Sequence, residues 1–304
     1  ALPYLWETLG CPVYATPFAA AVLRYKTRNR GGVLPSPLIE IEPGSTLSIG
    51  PFSVEWIPIT HSTPETCALA IRTPDSCIVH TADWKIDDEP VVGTAWSARH
   101  FEALGKEGVD AVICDATNAL RAGRSPSEGA VARELGKVIE GRQGRVVVGC
   151  FSSNIARIQT LSSIAAKNKR YFAILGRSAS GMARCAQQLG LLESQFQPIH
   201  PEHLGYLPPS EVLAVATGSQ GEWGAALYRL MMQTHPDLSL DAGDTVILSS
   251  KTIPGNEQSL KQLVQGLRAR GIEVIEAEES QTPLHASGHP CQEELSDLYQ
   301  ILKP

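Results

Sequence analysis

No apolar stretch of this 304-residue chain approaches the roughly 18 residues that a membrane-spanning helix needs. The nearest run, Val13 to Leu23, is broken by Thr16 and Pro17, and Glu7 interrupts anything at the start that would read as a secretion signal, so neither a leader nor a membrane role is expected. The seven cysteines, at 11, 67, 77, 114, 150, 185 and 291, are odd in number, scattered and never spaced CxxC. That pattern argues against a disulfide framework and a structural zinc site, and for a reducing cytoplasm. A surplus of positive charge is missing too. With 26 Lys and Arg against 32 Asp and Glu, the net charge of −6 excludes coating nucleic acid by bulk charge, while leaving room for a local basic cleft. Internal repeats, low-complexity tracts and long charge runs are absent. What is present, 43% hydrophobic and 19% charged residues, describes a globular protein large enough for two modest domains.

The positive signal is a repeated order of short apolar strand, polar turn and amphipathic helix. Strands are expected at Val54–Ile59, Cys77–His80, Val109–Cys114, Arg145–Cys150, Tyr171–Leu175, Val212–Ala216, Thr245–Leu248 and Glu273–Ile275, each rich in Val, Ile or aromatics and too short for a helix. From about residue 125 the alternation becomes regular, with helices expected at 127–140, 154–168, 179–190, 222–234, 257–270 and 291–302. Two of these open on capping chemistry, Ser125-Pro126-Ser127-Glu128 and Gly255-Asn256-Glu257. Alternation of this kind implies a mostly parallel sheet covered on both faces. Before 125 the strands lie closer together with few helices, which implies a different layer arrangement, and the Ser/Pro/Gly-rich stretch 122–128 reads as a domain crossing.

The most informative residues are those directly after each strand: Thr60-His61-Ser62, His80-Thr81-Ala82-Asp83, Asp115-Ala116-Thr117-Asn118, Phe151-Ser152-Ser153-Asn154, Gly176-Arg177-Ser178 and Thr217-Gly218-Ser219-Gln220-Gly221-Glu222. Ligands of α/β sheets bind beyond the carboxyl ends of the strands, and small, hydroxyl and amide residues ahead of helix N-termini suit an anion such as phosphate. Any one loop is equally an ordinary capped turn; six exceed what turn chemistry requires. His61 and Asp83, each just past a strand, could share a metal, although a lone strand-end histidine is commonly a hydrogen-bonded structural residue. His80, inside its strand, reads as core. The run His285-Ala286-Ser287-Gly288-His289 places two histidines, a serine and a glycine before a helix, a pattern that fits metal ligation, phosphate binding or structure alike.

These segments resemble the ribonuclease J family of the metallo-β-lactamase superfamily, its β-CASP branch, in a form most like that of alphaproteobacteria. The resemblance is carried by THSTPE (60–65), HTADWKID (80–87), CDATN (114–118), FSSNIARIQ (151–159), LGRS (175–178), TGSQGE (217–222), SSKTIPGNE (249–257) and HASGHPCQEEL (285–295), which keep the family's order across nearly the whole chain. It implies a nuclease with two zinc ions held by an αββα sandwich, acting on RNA from the 5′ end and internally, in the cytoplasm and as a homo-oligomer (dimer or tetramer). By the family pattern His61 is a zinc ligand and Asp83 the carboxylate that bridges both ions. Asp115 is the acid of the first β-CASP motif, orienting metal-ligating or catalytic groups. His285 is the β-CASP histidine near the scissile phosphate, stabilising charge or protonating the leaving oxygen. Ser153, Asn154, Arg177, Ser219 and Ser287 line the cleft that holds RNA phosphates.

One departure matters. The family signature H-x-H-x-D-H, which supplies most zinc ligands, is absent; it is expected just upstream of Ala1, and the last ligating histidine is expected shortly after Pro304. The chain therefore reads as truncated on both sides of its metal site, and alone it is expected to be inactive. A metal-free RNA-binding β-CASP module is the second reading, and a lactamase-like hydrolase of small molecules the third; the long 125–280 insertion disfavours the latter. The expected architecture is α/β: residues 1–124 and 281–304 in a partial metallo-β-lactamase sandwich, with 125–280 as an inserted β-CASP domain whose return places His285 at the domain interface.

Overall fold

A computed structural model describes residues 2–304; Ala1 lies outside the described residues. The chain divides into two compact units. One comprises the chain up to Ser125 together with Gly288–Pro304, and the other is Pro126–Ser287. The outgoing crossing thus falls inside the Ser/Pro/Gly-rich stretch, whereas the return falls at 287/288 instead of 280/281. The physical reason is that the Leu284 carbonyl is held by Arg157 and Ser249 of the second unit, while the Gly288 carbonyl is bonded to His61 of the first.

The first unit opens with α1 (Leu2–Leu9), β1 (Val13–Ala15), α2 (Pro17–Asn29) and β2 (Leu38–Glu40), where β1 and β2 form a parallel pair. Then come β3 (Thr46–Ile49), β4 (Phe52–Pro58), β5 (Cys67–Arg72), β6 (Cys77–His80), α3 (Arg99–Glu107) and β7 (Ala111–Ile113). Strands β3 to β7 make one sheet in sequence order, antiparallel except for the last pair. The period of two sorts β5 cleanly: Ala68 and Ala70 enter one apolar cluster with Ile57, Val79, Phe101 and Leu104, while Cys67, Leu69 and Ile71 enter another with Ile41, Val54 and Trp56.

The second unit contains α4 (Glu128–Ile139), β8 (Val146–Gly149), α5 (Ile155–Lys167), β9 (Tyr171–Leu175), α6 (Arg177–Gln188), β10 (Val212–Ala216), α7 (Ala226–Met231), β11 (Thr245–Leu248), α8 (Glu257–Arg268) and β12 (Glu273–Glu276). Its five strands are all parallel, in the order β12-β11-β8-β10-β9. Val146, Val147 and Val148 and the whole of Val212–Ala216 are buried, the continuous apolar run of a sheet covered on both faces. Ser127 caps α4 by accepting the Ala130 amide at 3.0 Å, as the capping pattern predicts. The expected helix at 222–234 shrinks to α7, because Gly221 and Gly224 both sit at φ +74° and the segment ahead of α7 turns back, with the Leu227 amide bonded to the Thr217 carbonyl.

The chain then returns to the first unit and ends with α9 (Gln292–Leu302). Leu298 and Leu302 pack with Phe101 and Leu104 of α3 in the sheet's core cluster, and Gly105 of α3 lies so close to the Ile301 carbonyl that a Cβ would overlap it. Among the described residues, no helix is long and apolar enough to cross a membrane.

Candidate functional site

Strands β4, β6 and β7 of the first unit run in the same direction, so their carboxyl ends share one edge of the sheet. His61, Asp83 and Asp115 come just after these three ends, and His289 arrives on the return segment. Two buried threonines lace the loops together. Thr60 forms a bridge with Lys85: its hydroxyl donates to the Lys85 carbonyl at 2.6 Å, its carbonyl accepts the Lys85 amide at 2.9 Å, and the hydroxyl also accepts the Asp87 amide at 3.2 Å. Lys85 and Asp87 form a buried ion pair at 2.8 Å beneath the same turn. Thr81 donates its amide to Ile113 at 3.0 Å and its hydroxyl to the Ala82 carbonyl at 2.8 Å, and that hydroxyl accepts the Asp115 amide at 3.1 Å. Ala82 is held at φ +53°, a left-handed conformation that a residue with a Cβ adopts only under constraint, and it immediately precedes Asp83.

Asp83, Asp115 and His289 each offer one ligand atom, and these atoms all lie within 4.8 Å of one another. Asp83 is exposed; Asp115 and His289 are half-buried. The His289 Nδ1 lies 2.7 Å from Asp115 Oδ2, while Asp115 Oδ1 accepts the Thr117 amide at 2.9 Å and hydroxyl at 2.6 Å. Burial alone would raise the Asp115 carboxyl, but the Thr117 hydroxyl and amide and the His289 ring together hold it below the ordinary carboxylate value. In the tautomer that donates Nδ1–H to Asp115, that hydrogen bond fixes the orientation of the His289 ring. The His289 carbonyl is fixed as well, by the Ser125 hydroxyl at 2.7 Å and the Asn118 amide group at 3.3 Å.

His61 flanks this group. Its Nδ1 bonds the Gly288 carbonyl at 2.7 Å, its Nε2 lies 3.3 Å from the Ser62 hydroxyl, and its ring meets that of His289 edge to face, centroids 5.5 Å apart. Burial lowers its pKa, outweighing the Gly288 carbonyl, Asp83 and Asp115, which pull it upward. The imidazole is therefore neutral at pH 7, the form that ligates metals. Two carboxylates and one or two imidazoles, with no thiolate, form a donor set that suits a divalent cation such as zinc or manganese. In the sequence, the run from His285 to His289 leaves metal ligation, phosphate binding and structure open alike, and His289 is not singled out within it. His80, expected in the core, is half-buried, and its Nδ1 accepts the Ala82 amide at 3.1 Å.

The other candidate residues belong to the second unit. The chain builds β9 and β10 on one side of β8 and β11 and β12 on the other, so the loops after β8, β10 and β11 flank a topological switch point. Ser153 and Asn154 come after β8, Arg177 opens α6 after β9, and Ser219 comes after β10. Arg177 is exposed, and Ser153, His285 and Ser287 are half-buried. Asn154 is buried and caps α5, its side-chain oxygen accepting the Arg157 amide at 2.9 Å, and Ser219 is buried with its carbonyl accepting from Gln220 and Ser250. Behind this edge, Arg157 is fully buried and spans Glu128, Ser249 and the Leu284 carbonyl, one residue before His285.

A mixed sheet with acids and histidines at its parallel strand ends, interrupted by an all-parallel α/β unit, defines a metallo-β-lactamase-like chain of the β-CASP type. Comparison with known proteins gives a family likeness. The sequence profile described as "Ribonuclease J, beta-CASP domain" matches residues 143–267. The chain is 41% identical to Ribonuclease J of Sinorhizobium meliloti over 304 residues, all of this chain and 54% of that protein. It is 38% identical to Ribonuclease J of Thermus thermophilus over 296 residues (96% of this chain, 51% of that protein) and 36% identical to Ribonuclease J of Helicobacter pylori strain J99 over 306 residues (100% and 44%). A crystal structure of a protein of unknown function from Enterococcus faecalis V583 shares the fold, with a TM-score of 0.60 and 17% identity over 96% of this chain and 68% of that one. Over its whole length the chain is similar to ribonuclease J proteins, and it spans about half the length of the curated relatives it matches.

Proposed function

We propose that the protein is a metal-dependent ribonuclease, hydrolysing RNA phosphodiester bonds both from a 5′ end and internally, with zinc as its metal. The observation that carries this reading is the convergence of ligand atoms from Asp83, Asp115 and His289 in a chain that matches ribonuclease J sequences from end to end. Asp83, His289 and His61 would hold the metal, with Asp115 fixing the His289 ring through their hydrogen bond. When bound, a divalent ion supplies Lewis acidity, lowering the pKa of a coordinated water to about 7 and offsetting the charge of the phosphate. Thr60 and Thr81 keep the ligand-bearing loops in register. His285 protonates the departing oxygen or stabilises its charge, and Ser153, Asn154, Arg177, Ser219 and Ser287 bind phosphates along the strand. RNA processing and decay in the cytoplasm, by a homo-oligomer, is the setting that the family resemblance supports.

Asp83→Ala tests the assignment. In the whole protein it should lower RNA hydrolysis by on the order of a hundredfold or more. Its melting temperature should hold, because Asp83 is exposed. Wild-type activity in that variant would reject the reading. His285→Ala should lower kcat more than it raises KM in a gel-based cleavage assay; a change confined to RNA affinity would remove it from the chemical step.

A further inference from the structure

Glu294 is the only glutamate in the described residues with no exposed surface at all. It lies in the first turn of α9, where a glutamate at this position ordinarily receives one amide, that of the capping residue, here Cys291 at 2.9 Å. This one receives two more, from distant parts of the chain. The Ile86 amide donates to Oε1 at 2.8 Å, and the Ser125 amide donates to Oε2 at 2.8 Å. Ile86 lies three residues beyond Asp83, and Cys291 lies two beyond His289. Ser125 in turn uses its hydroxyl to hold the His289 carbonyl at 2.7 Å. One buried carboxylate therefore touches the backbone that carries two of the three converging ligand residues.

A helix cap needs a single acceptor, which water can also supply. Burying a carboxylate to collect amides from three segments is costly unless every lone pair is used, and the arrangement is then rigid. We propose that Glu294 is a positioning residue for the metal group, setting the separation between the Asp83 loop and the His289 loop; this rests on the metal reading above. The carboxylate's symmetry is what the role requires. Glutamine has one acceptor oxygen, and that oxygen serves the paired donors Ser125 and Cys291. Its NH₂ then faces the Ile86 amide, donor against donor, and the loop carrying Asp83 is pushed away.

The test is a titration of the whole protein with Zn²⁺ alone, in parallel with thermal unfolding of the metal-free form. Glu294→Gln should weaken zinc binding about 10- to 100-fold, the range typical of residues that orient metal ligands. Leu298→Ala, on the same helix and in the core cluster, should lower the melting temperature while leaving zinc affinity unchanged. Should Glu294→Gln not fold, Glu294→Asp, which keeps the charge but withdraws it by one methylene, should show the same loss of affinity. Zinc affinity equal to wild type in the folded glutamate variant overturns the inference, as does an equal loss in Leu298→Ala. A wild-type whole protein that takes up no zinc overturns the metal reading itself.

Discussion

Arg157→Leu should destabilise the second unit by about 3–5 kcal/mol, the cost of stranding one member of a buried ion pair. The guanidinium has no exposed surface, and it faces both oxygens of Glu128, itself buried, at 3.2 and 3.1 Å. It also reaches the Ser249 hydroxyl and the Leu284 carbonyl. Leucine removes the positive charge while the carboxylate stays inside the protein. In thermal unfolding the loss should appear as a fall of roughly 10 °C for a unit of this size. The double variant Arg157→Leu with Glu128→Met should recover most of that loss, because an apolar pair of similar volume avoids the desolvation of both charges. Added salt should alter neither result, since the pair is beyond the reach of screening. A single variant as stable as wild type would mean that the pair contributes nothing to the fold.

Gly288→Ala should be nearly as damaging, and at the metal group. The position is tolerant in backbone terms; what excludes a side chain is the His61 ring, which a Cβ at 288 would overlap. His61 cannot retreat without losing its bond to the Gly288 carbonyl, so the added methyl either turns the imidazole away or displaces the return segment that carries His289. Overpacking of this kind costs about 1–3 kcal/mol, and the misplaced imidazoles should reduce metal affinity about 10- to 100-fold. Imidazole resonances in an NMR spectrum of the metal-free chain would report the displacement directly. Unchanged His61 and His289 signals, with unchanged metal uptake, would show that the contact is slack.

The second unit is largely legible in the sequence because its strands are continuous runs of valine, isoleucine and leucine separated by helices with recognisable starts. Tyr171–Leu175, Val212–Ala216 and Thr245–Leu248 fall where the pattern predicts, residue for residue. The first unit is less legible for identifiable reasons. Cys67–Arg72 alternates alanine with larger apolar residues and covers both faces of its sheet, so no polar face announces a strand. Pro17–Asn29 and Arg99–Glu107 begin without a side-chain cap, and their helical character comes from the surfaces they cover. At the site, local pattern suffices to place His61, Asp83 and Asp115 at strand ends. The convergence on His289 is hidden, because it joins residues far apart in the chain through backbone contacts made by Thr60, Thr81, Ser125 and Glu294. Their local positions, Ser125 in its capping run and Glu294 in the first turn of its helix, do not announce these long-range contacts.

The strand order of the second unit has a consequence for how the chain comes to fold. Val146–Gly149 is the central strand of that sheet and the first to be synthesised, yet the strand made next does not pair with it. Its two neighbours are Val212–Ala216 and Thr245–Leu248, both far downstream. On the ribosome this valine-rich segment therefore emerges with both edges unpaired, the state most prone to association with other chains. Sequential zippering is closed to such a topology, and the sheet must form late, around pairings of long sequence separation. Slow, all-or-none acquisition of structure is built into the position of a single strand.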